Sequence, residues 1–263
     1  MNNLIIYDKN TLEKYINKRD REVKFGESVL TIQELDELKT TPAKYVLLGI
    51  PEDIGVLANS GVAGTKNAWV ACLKGLLNMQ ANHFTTPENL IILGEIDCAT
   101  QLQAAVTLDK EDAHYFEELG TIVSQIDTKV ATVVEHIVKA GKVPVIIGGG
   151  HNNSYGNIKG SSFALQKPIS VINFDAHADF RPLEHRHSGN GFSYAYEEGF
   201  LNHYFVFGLQ KNYNSQAVFD VLHKNKETIS YNLFEHIATQ RTKAFGQAMK
   251  EAESFTMPGE KFG

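Results

Sequence analysis

Two short stretches of the chain place metal-ligating residue types at the ends of apolar runs. In Val143-Pro144-Val145-Ile146-Ile147-Gly148-Gly149-Gly150-His151-Asn152-Asn153-Ser154, an apolar run breaks into three glycines and then presents His151. In Val171-Ile172-Asn173-Phe174-Asp175-Ala176-His177-Ala178-Asp179, a second run ends in Asp-x-His-x-Asp. If the two runs are parallel strands, both polar ends lie at one sheet edge, where open α/β sheets bind ligands. Continued as extended backbone, period-two alternation sends Asp175, His177 and Asp179 to one side. Carboxylates gathered that closely repel unless a proton or a cation lies between them. An imidazole in the set argues against an all-oxygen Mg²⁺ or Ca²⁺ cage and toward Mn²⁺, with Fe²⁺, Co²⁺ and Zn²⁺ as alternatives. Singly, a His or Asp after a strand is ordinarily a cap or a solvated turn. The combination of His151 with Asp175, His177 and Asp179 reads as a metal site.

The elements that must position these residues are legible in the hydrophobic pattern. Candidate strands are Tyr45–Ile50, Leu90–Leu93, Val143–Ile147, Ser170–Phe174, Tyr204–Phe207 and Thr228–Tyr231. Runs apolar on both faces suit parallel strands covered by helices on each side. Between them, Phe116, Leu119, Ile122, Val123, Ile126, Val130, Val133, Val134, Ile137 and Val138 recur at three- and four-residue spacings, which predicts a helix over 112–140 with Gly141 as its stop. Strand and helix in alternation give an α/β fold, a doubly wound, mostly parallel sheet with helices on both faces. Residues 1–43 are charged and mixed in pattern, with weak helical stretches over 11–18 and 31–38, and read as an N-terminal arm ahead of a domain spanning 44–263.

Composition narrows the partners. The 263 residues carry 25 Lys and Arg against 31 Asp and Glu, a net charge of −6, so nothing draws the chain generally to phosphate backbones or anionic lipid. Nucleic acid and membrane are therefore not expected partners. Two cysteines, Cys72 and Cys98, make no disulfide framework, and no apolar run approaches a membrane span, which together suggest a cytoplasmic protein. The glycines at 148–150 are not a phosphate loop, since no Gly-Lys-Ser/Thr follows, and no Gly-x-Ser-x-Gly nucleophile elbow exists.

Gly148-Gly149-Gly150-His151 and Asp175-Ala176-His177-Ala178-Asp179 resemble the first two metal motifs of the ureohydrolase family of arginases, agmatinases and formimidoylglutamases. Gly49-Ile50-Pro51-Glu52-Asp53-Ile54-Gly55, followed by Asn59-Ser60-Gly61-Val62-Ala63-Gly64, is similar to the family's first strand and glycine-rich loop. The similarity covers about Lys44 to Leu209. It implies an arginase-like three-layer sandwich, a binuclear Mn²⁺ centre and a homo-oligomer. His151, Asp175 and Asp179 would hold one ion, with Asp175 bridging to a second held by His177.

Two departures from the family pattern bear on function. The third motif, Ser-x-Asp-x-Asp-x-x-Asp-Pro, is missing, since no Asp follows Asp220. The closing Pro258–Gly263 reads as a turn and the opening of the strand that should bear it, so the chain is expected to be truncated there, the alternative being a naturally incomplete metal site, and its Mn²⁺ weak or absent. The other departure is Phe192, which stands where arginases and agmatinases place a catalytic His. With Gly-Gly-Gly-His in place of Gly-Gly-Asp-His, the pattern is closer to the formimidoylglutamase branch. His187 is then the best proton donor in the loop, and Arg181, Arg186, Ser188 and Asn190 are the candidates for substrate contact. The expected function is Mn-dependent hydrolysis of a C–N bond in a small linear amidine or guanidine, N-formimidoyl-glutamate being the leading substrate. The alternatives are a catalytically inactive binding protein of the same fold, or a deacetylase-type amidohydrolase with one metal.

Overall fold

The apolar runs form seven strands, paired as two sheets, in the computed structural model of the chain, which describes residues 3–257. The chain divides into two compact units. The first comprises residues up to 165 together with 184–188; the second comprises 166–183 and the residues from 189 onward.

In the first unit the strand order is β1 (Leu4–Ile6), β3 (Leu90–Ile96), β2 (Tyr45–Gly49), β4 (Val143–Ile147). β2 runs parallel to both neighbours, with Leu47 opposite Ile92 and Val145. β1 joins β3 antiparallel, so the segment read as an arm contributes an edge strand. It also lays Leu12, Phe25 and Val29 against the buried Trp69 and Leu73. The β2–β3 register slips after Leu47 at Gly94, which has φ +131. A Cβ there would lie 2.0 Å from the Ile5 carbonyl oxygen, so only glycine lets β1 approach.

The helix predicted from spacing spans Tyr115–Lys139 and buries Leu119, Ile122, Val123, Ile126, Val130, Val133, Val134 and Ile137. Each such side chain is worth about 1.5–3 kcal/mol when fully buried, which makes this stripe a large contributor to the core of the unit. Gly141 ends the helix at φ +74. Against it packs the helix Asn153–Leu165, and the two backbones meet at glycines. A Cβ on Gly156 would lie 2.8 Å from Val130 Cβ, and one on Gly160 would lie 2.4 Å from the Ala131 carbonyl oxygen. Gly160→Ala is therefore expected to cost about 1–3 kcal/mol by overpacking, measured as a lower urea midpoint at unchanged m-value. A midpoint equal to that of the parent would show that the helices separate without cost.

The second unit holds β5 (Ile169–Phe174), β6 (Leu201–Leu209) and β7 (Ile229–Leu233), all parallel. The helix Phe245–Thr256 covers one face, burying Ala248 and Ala252 against Phe205 and Phe207. Within its own unit β4 pairs with β2, and within its own unit β5 pairs with β6. Val143 donates to the Lys44 carbonyl and Ile50 donates to the Ile147 carbonyl, so the alternation turns the backbone of Pro144 and Ile146 to the outer edge of β4. No helix of the described residues is long and apolar enough to cross a membrane. Pro258–Gly263, where a turn and a strand start were expected, lies outside the described residues.

Candidate metal centre

In the second unit, β5 delivers Asp175 to the strand end, where its N–H still donates to the Phe207 carbonyl of β6. The backbone then turns instead of continuing extended. Asp175 Oδ1 accepts from the His177 N–H at 2.9 Å, a turn closed by the aspartate side chain itself. Asn214 holds the turn from outside: its Oδ1 accepts from the Ala178 N–H at 2.8 Å and its Nδ2 donates to the Ala176 carbonyl at 3.0 Å. Asp179 follows at φ +43, a left-handed conformation costing a non-glycine residue about 1–2 kcal/mol. The result brings a carboxylate oxygen of Asp175 and one of Asp179 within 4.8 Å of each other. Like charges at that distance repel by about 3 kcal/mol at an effective dielectric of 20, so the arrangement fits a cation between them. The donor chemistry, two hard carboxylates at a strand end, suits Mn²⁺.

His177 takes a different course. Its Nδ1 lies 3.3 Å from Asp175 Oδ1, and its half-exposed ring meets the Tyr213 ring edge-on at 5.0 Å. Beneath the turn, buried Tyr204 donates to the Ala178 carbonyl at 2.8 Å and accepts from Asn173 Nδ2 at 3.0 Å. Burial, and then the charges of Asp179 and Asp175, push its phenol well above the ordinary range, so it stays a neutral donor. Phe192 stacks on Tyr204 at 4.5 Å and is itself buried, a packing role for the residue found where a catalytic His was sought.

In the first unit, β4 ends in Gly148–Gly150 and exposed His151, and Glu52 accounts for the glycine at 149. A Cβ on Gly149 would lie 1.6 Å from the Glu52 carbonyl oxygen, and one on Gly150 would lie 2.1 Å from Asn152 Oδ1. The glycines therefore let this loop rest directly on the segment after β2. Glu52 is fully buried and was not singled out by sequence reasoning. The available signal was a charged residue between the apolar Ile50 and Ile54.

The loop expected to touch substrate divides. Arg186 is buried: Nε and one terminal nitrogen grip Asp127 at 3.0 and 3.3 Å, that nitrogen also reaches the Asn152 carbonyl at 3.1 Å, and the guanidinium lies 5.0 Å over the Tyr155 ring. Its fork is engaged inside the unit, which corrects the expectation of a substrate clamp. His187 is also buried, with Nε2 2.8 Å from Glu184 Oε1, so it is not presented at the surface as a proton donor. The Ser188 hydroxyl accepts from Asn59 Nδ2 at 3.1 Å, and its N–H donates to the Gly55 carbonyl. Asn190 is buried as the N-cap residue of the helix Gly191–Glu197. Only Arg181 is exposed. It lines a cavity of about 800 Å³ in the second unit, with His177, Phe180, Tyr196, Tyr213 and Lys224.

Comparison with known proteins places this geometry. The chain is 32% identical over 179 residues to the formimidoylglutamase of Chromobacterium violaceum, a stretch covering 66% of this chain and 50% of that protein. Among solved structures, it is similar to the formimidoylglutamase of Bacillus subtilis at a TM-score of 0.70 and 20% identity, covering 94% of this chain and 70% of the other. It is likewise similar to a Trypanosoma cruzi formiminoglutamase crystallised with Mn²⁺, at a TM-score of 0.65 and 21% identity, covering 90% and 72%. These structures share the fold. The chain spans 50% and 57% of the length of curated relatives it matches. Residues 43–257 match the arginase family throughout both units, and the chain belongs to that family.

Proposed function

We propose that the chain carries the metal site of an Mn²⁺-dependent hydrolase that cleaves a C–N bond in a small amidine, with N-formimidoyl-glutamate as the substrate and glutamate and formamide as products. The reading rests above all on the paired carboxylates of Asp175 and Asp179, held within 4.8 Å of each other by a turn and a left-handed backbone. His151 would join them on one ion. Asp175 would be shared with a second, to which His177 would contribute by turning its ring from Tyr213. Bound Mn²⁺ supplies Lewis acidity and acidifies water at neutral pH.

The remaining work falls to the chain. Asn214 and Tyr204 hold the turn between the two aspartates. Arg181, exposed beside the cavity of the second unit, is placed to meet a substrate carboxylate through its planar fork. Phe180, Tyr196 and Tyr213 give that cavity an apolar wall suited to methylene groups and to excluding water. Formimidoylglutamase relatives and Mn²⁺ in a similar structure support the substrate and metal.

The test is metal content with turnover. The protein is loaded with Mn²⁺, Zn²⁺ or no metal and offered N-formimidoyl-glutamate, agmatine and arginine. Formamide release that needs Mn²⁺ and is confined to N-formimidoyl-glutamate is the expected result. Turnover of none of the three, with no bound Mn²⁺, would put the inactive binding protein in its place.

A further inference from the structure

We propose that Glu52 is a positioning residue of the metal centre: its buried carboxylate, through Gly150, Asn152 and Asn153, fixes the loop that carries His151 and thereby sets the affinity of the site for a divalent cation. The inference rests on the reading of His151 as a ligand.

Glu52 has no solvent exposure. Its Oε1 accepts from the Gly150 N–H at 3.1 Å, from Asn152 Nδ2 at 3.1 Å and from Asn153 Nδ2 at 2.6 Å. Its Oε2 accepts from the N–H groups of Ile54 at 2.8 Å and Gly55 at 3.3 Å. Five donors converge on one side chain, and three of them come from the residues on either side of His151. One precedes it and two follow it, so the backbone of His151 is pinned from both directions.

Only an ionised carboxylate answers all five. It is an acceptor at both oxygens, whereas glutamine presents an oxygen at one end and two N–H groups at the other. A glutamine amide turned one way confronts the loop's three donors with another donor; turned the other way it confronts Ile54 and Gly55. Bonds to a charged acceptor are also roughly twice as strong as neutral ones. An ionised group buried away from any solvent is a poor source of net stability, and apolar residues of similar volume often serve as well. What the carboxylate adds over an apolar residue is a fixed loop. Groups that orient metal ligands from behind commonly change metal affinity by about 10- to 100-fold when lost.

The experiment titrates the 263-residue chain with Mn²⁺ alone, following free Mn²⁺ by electron paramagnetic resonance. Glu52→Gln is expected to raise the Kd about 10- to 100-fold. Asn153→Ala keeps the charge but removes the shortest loop contact, and is expected to shift the Kd in the same direction by a smaller factor. Val133→Ala, a core truncation in the helix Tyr115–Lys139, lowers the unfolding midpoint and leaves the Kd unchanged, which separates positioning from general destabilisation. If Glu52→Gln fails to fold, Asn153→Ala decides. Parental Kd in Glu52→Gln and Asn153→Ala, with His151→Ala weakened, overturns the positioning role and spares the reading of the site. Parental Kd in His151→Ala overturns that reading and the inference with it.

Discussion

Asp175→Asn is expected to abolish Mn²⁺-dependent turnover while leaving the fold in place. Asparagine keeps an oxygen where Asp175 accepts from the His177 N–H, so the turn survives and only the charge is lost. That loss takes away the anionic ligand we propose to be shared, and with it the means of making water nucleophilic at neutral pH. Lost activity in a chain that still folds is the signature of a carboxylate kept for binding a cation. His187→Ala gives the contrast. With His187 buried against Glu184, its loss should act through stability and leave turnover within about tenfold of the parent, well short of the 10²- to 10⁴-fold expected of a general acid or base. Turnover by Asp175→Asn at the parental rate would refute the metal mechanism.

Arg186→Ala is expected to cost about 3–5 kcal/mol of folding stability, a large share of the 5–15 kcal/mol typical of a whole protein. The change leaves the Asp127 carboxylate buried without its cation and removes a donor from the Asn152 carbonyl. In the parent, burial raises the Asp127 carboxyl to about 6, with the charge and hydrogen bonds of Arg186 pulling it down. Folded Asp127 therefore holds a proton over about pH 4–6 that the unfolded chain has released, and this group's contribution to stability falls as pH rises through that window. Removing Arg186 raises the carboxyl further and carries the penalty to neutral pH. Urea unfolding at about pH 5 and about pH 7.5 should then show a smaller deficit for Arg186→Ala in the more acidic buffer. Equal deficits would mean that lost packing of the arginine, not an unpaired charge, accounts for the cost.

Much of the fold is written in local pattern. The three- and four-residue spacings over 112–140 specify a helix because one apolar stripe must face a core, and β4 and β5 are legible because β-branched runs end abruptly in glycine or aspartate. What stays hidden depends on distant partners. β1 is three residues long, too short for a period to show, and exists through pairing with β3. Arg186 sits in a run of charged residues that looks solvated, and its burial follows from Asp127 in a remote helix. The signal for that pair was in the helix: Asp127 follows Val123 by four residues and precedes Ala131 by four, a charge in the apolar stripe, which requires a counter-ion. At the site, the residue types were legible. The left-handed backbone of Asp179 and the rotation of His177 toward Tyr213 were not, since both follow from how Asn214 and the Asp175 side chain close the turn.

Pro144 has a further consequence, for the colloidal behaviour of the chain. Its backbone faces the outer edge of β4, where it offers a carbonyl but no N–H. Within its unit, a strand laid along that edge meets one missing rung in a row of only five residues, and prolines at edges discourage such templating. β5 has no proline, turns the backbone of Ser170, Ile172 and Phe174 outward, and ends in a Phe174 side chain that is 61% exposed. Taken unit by unit, the outer edge of β5 is therefore the better template for an added strand, and a charged residue in place of Phe174 is the substitution expected to blunt it.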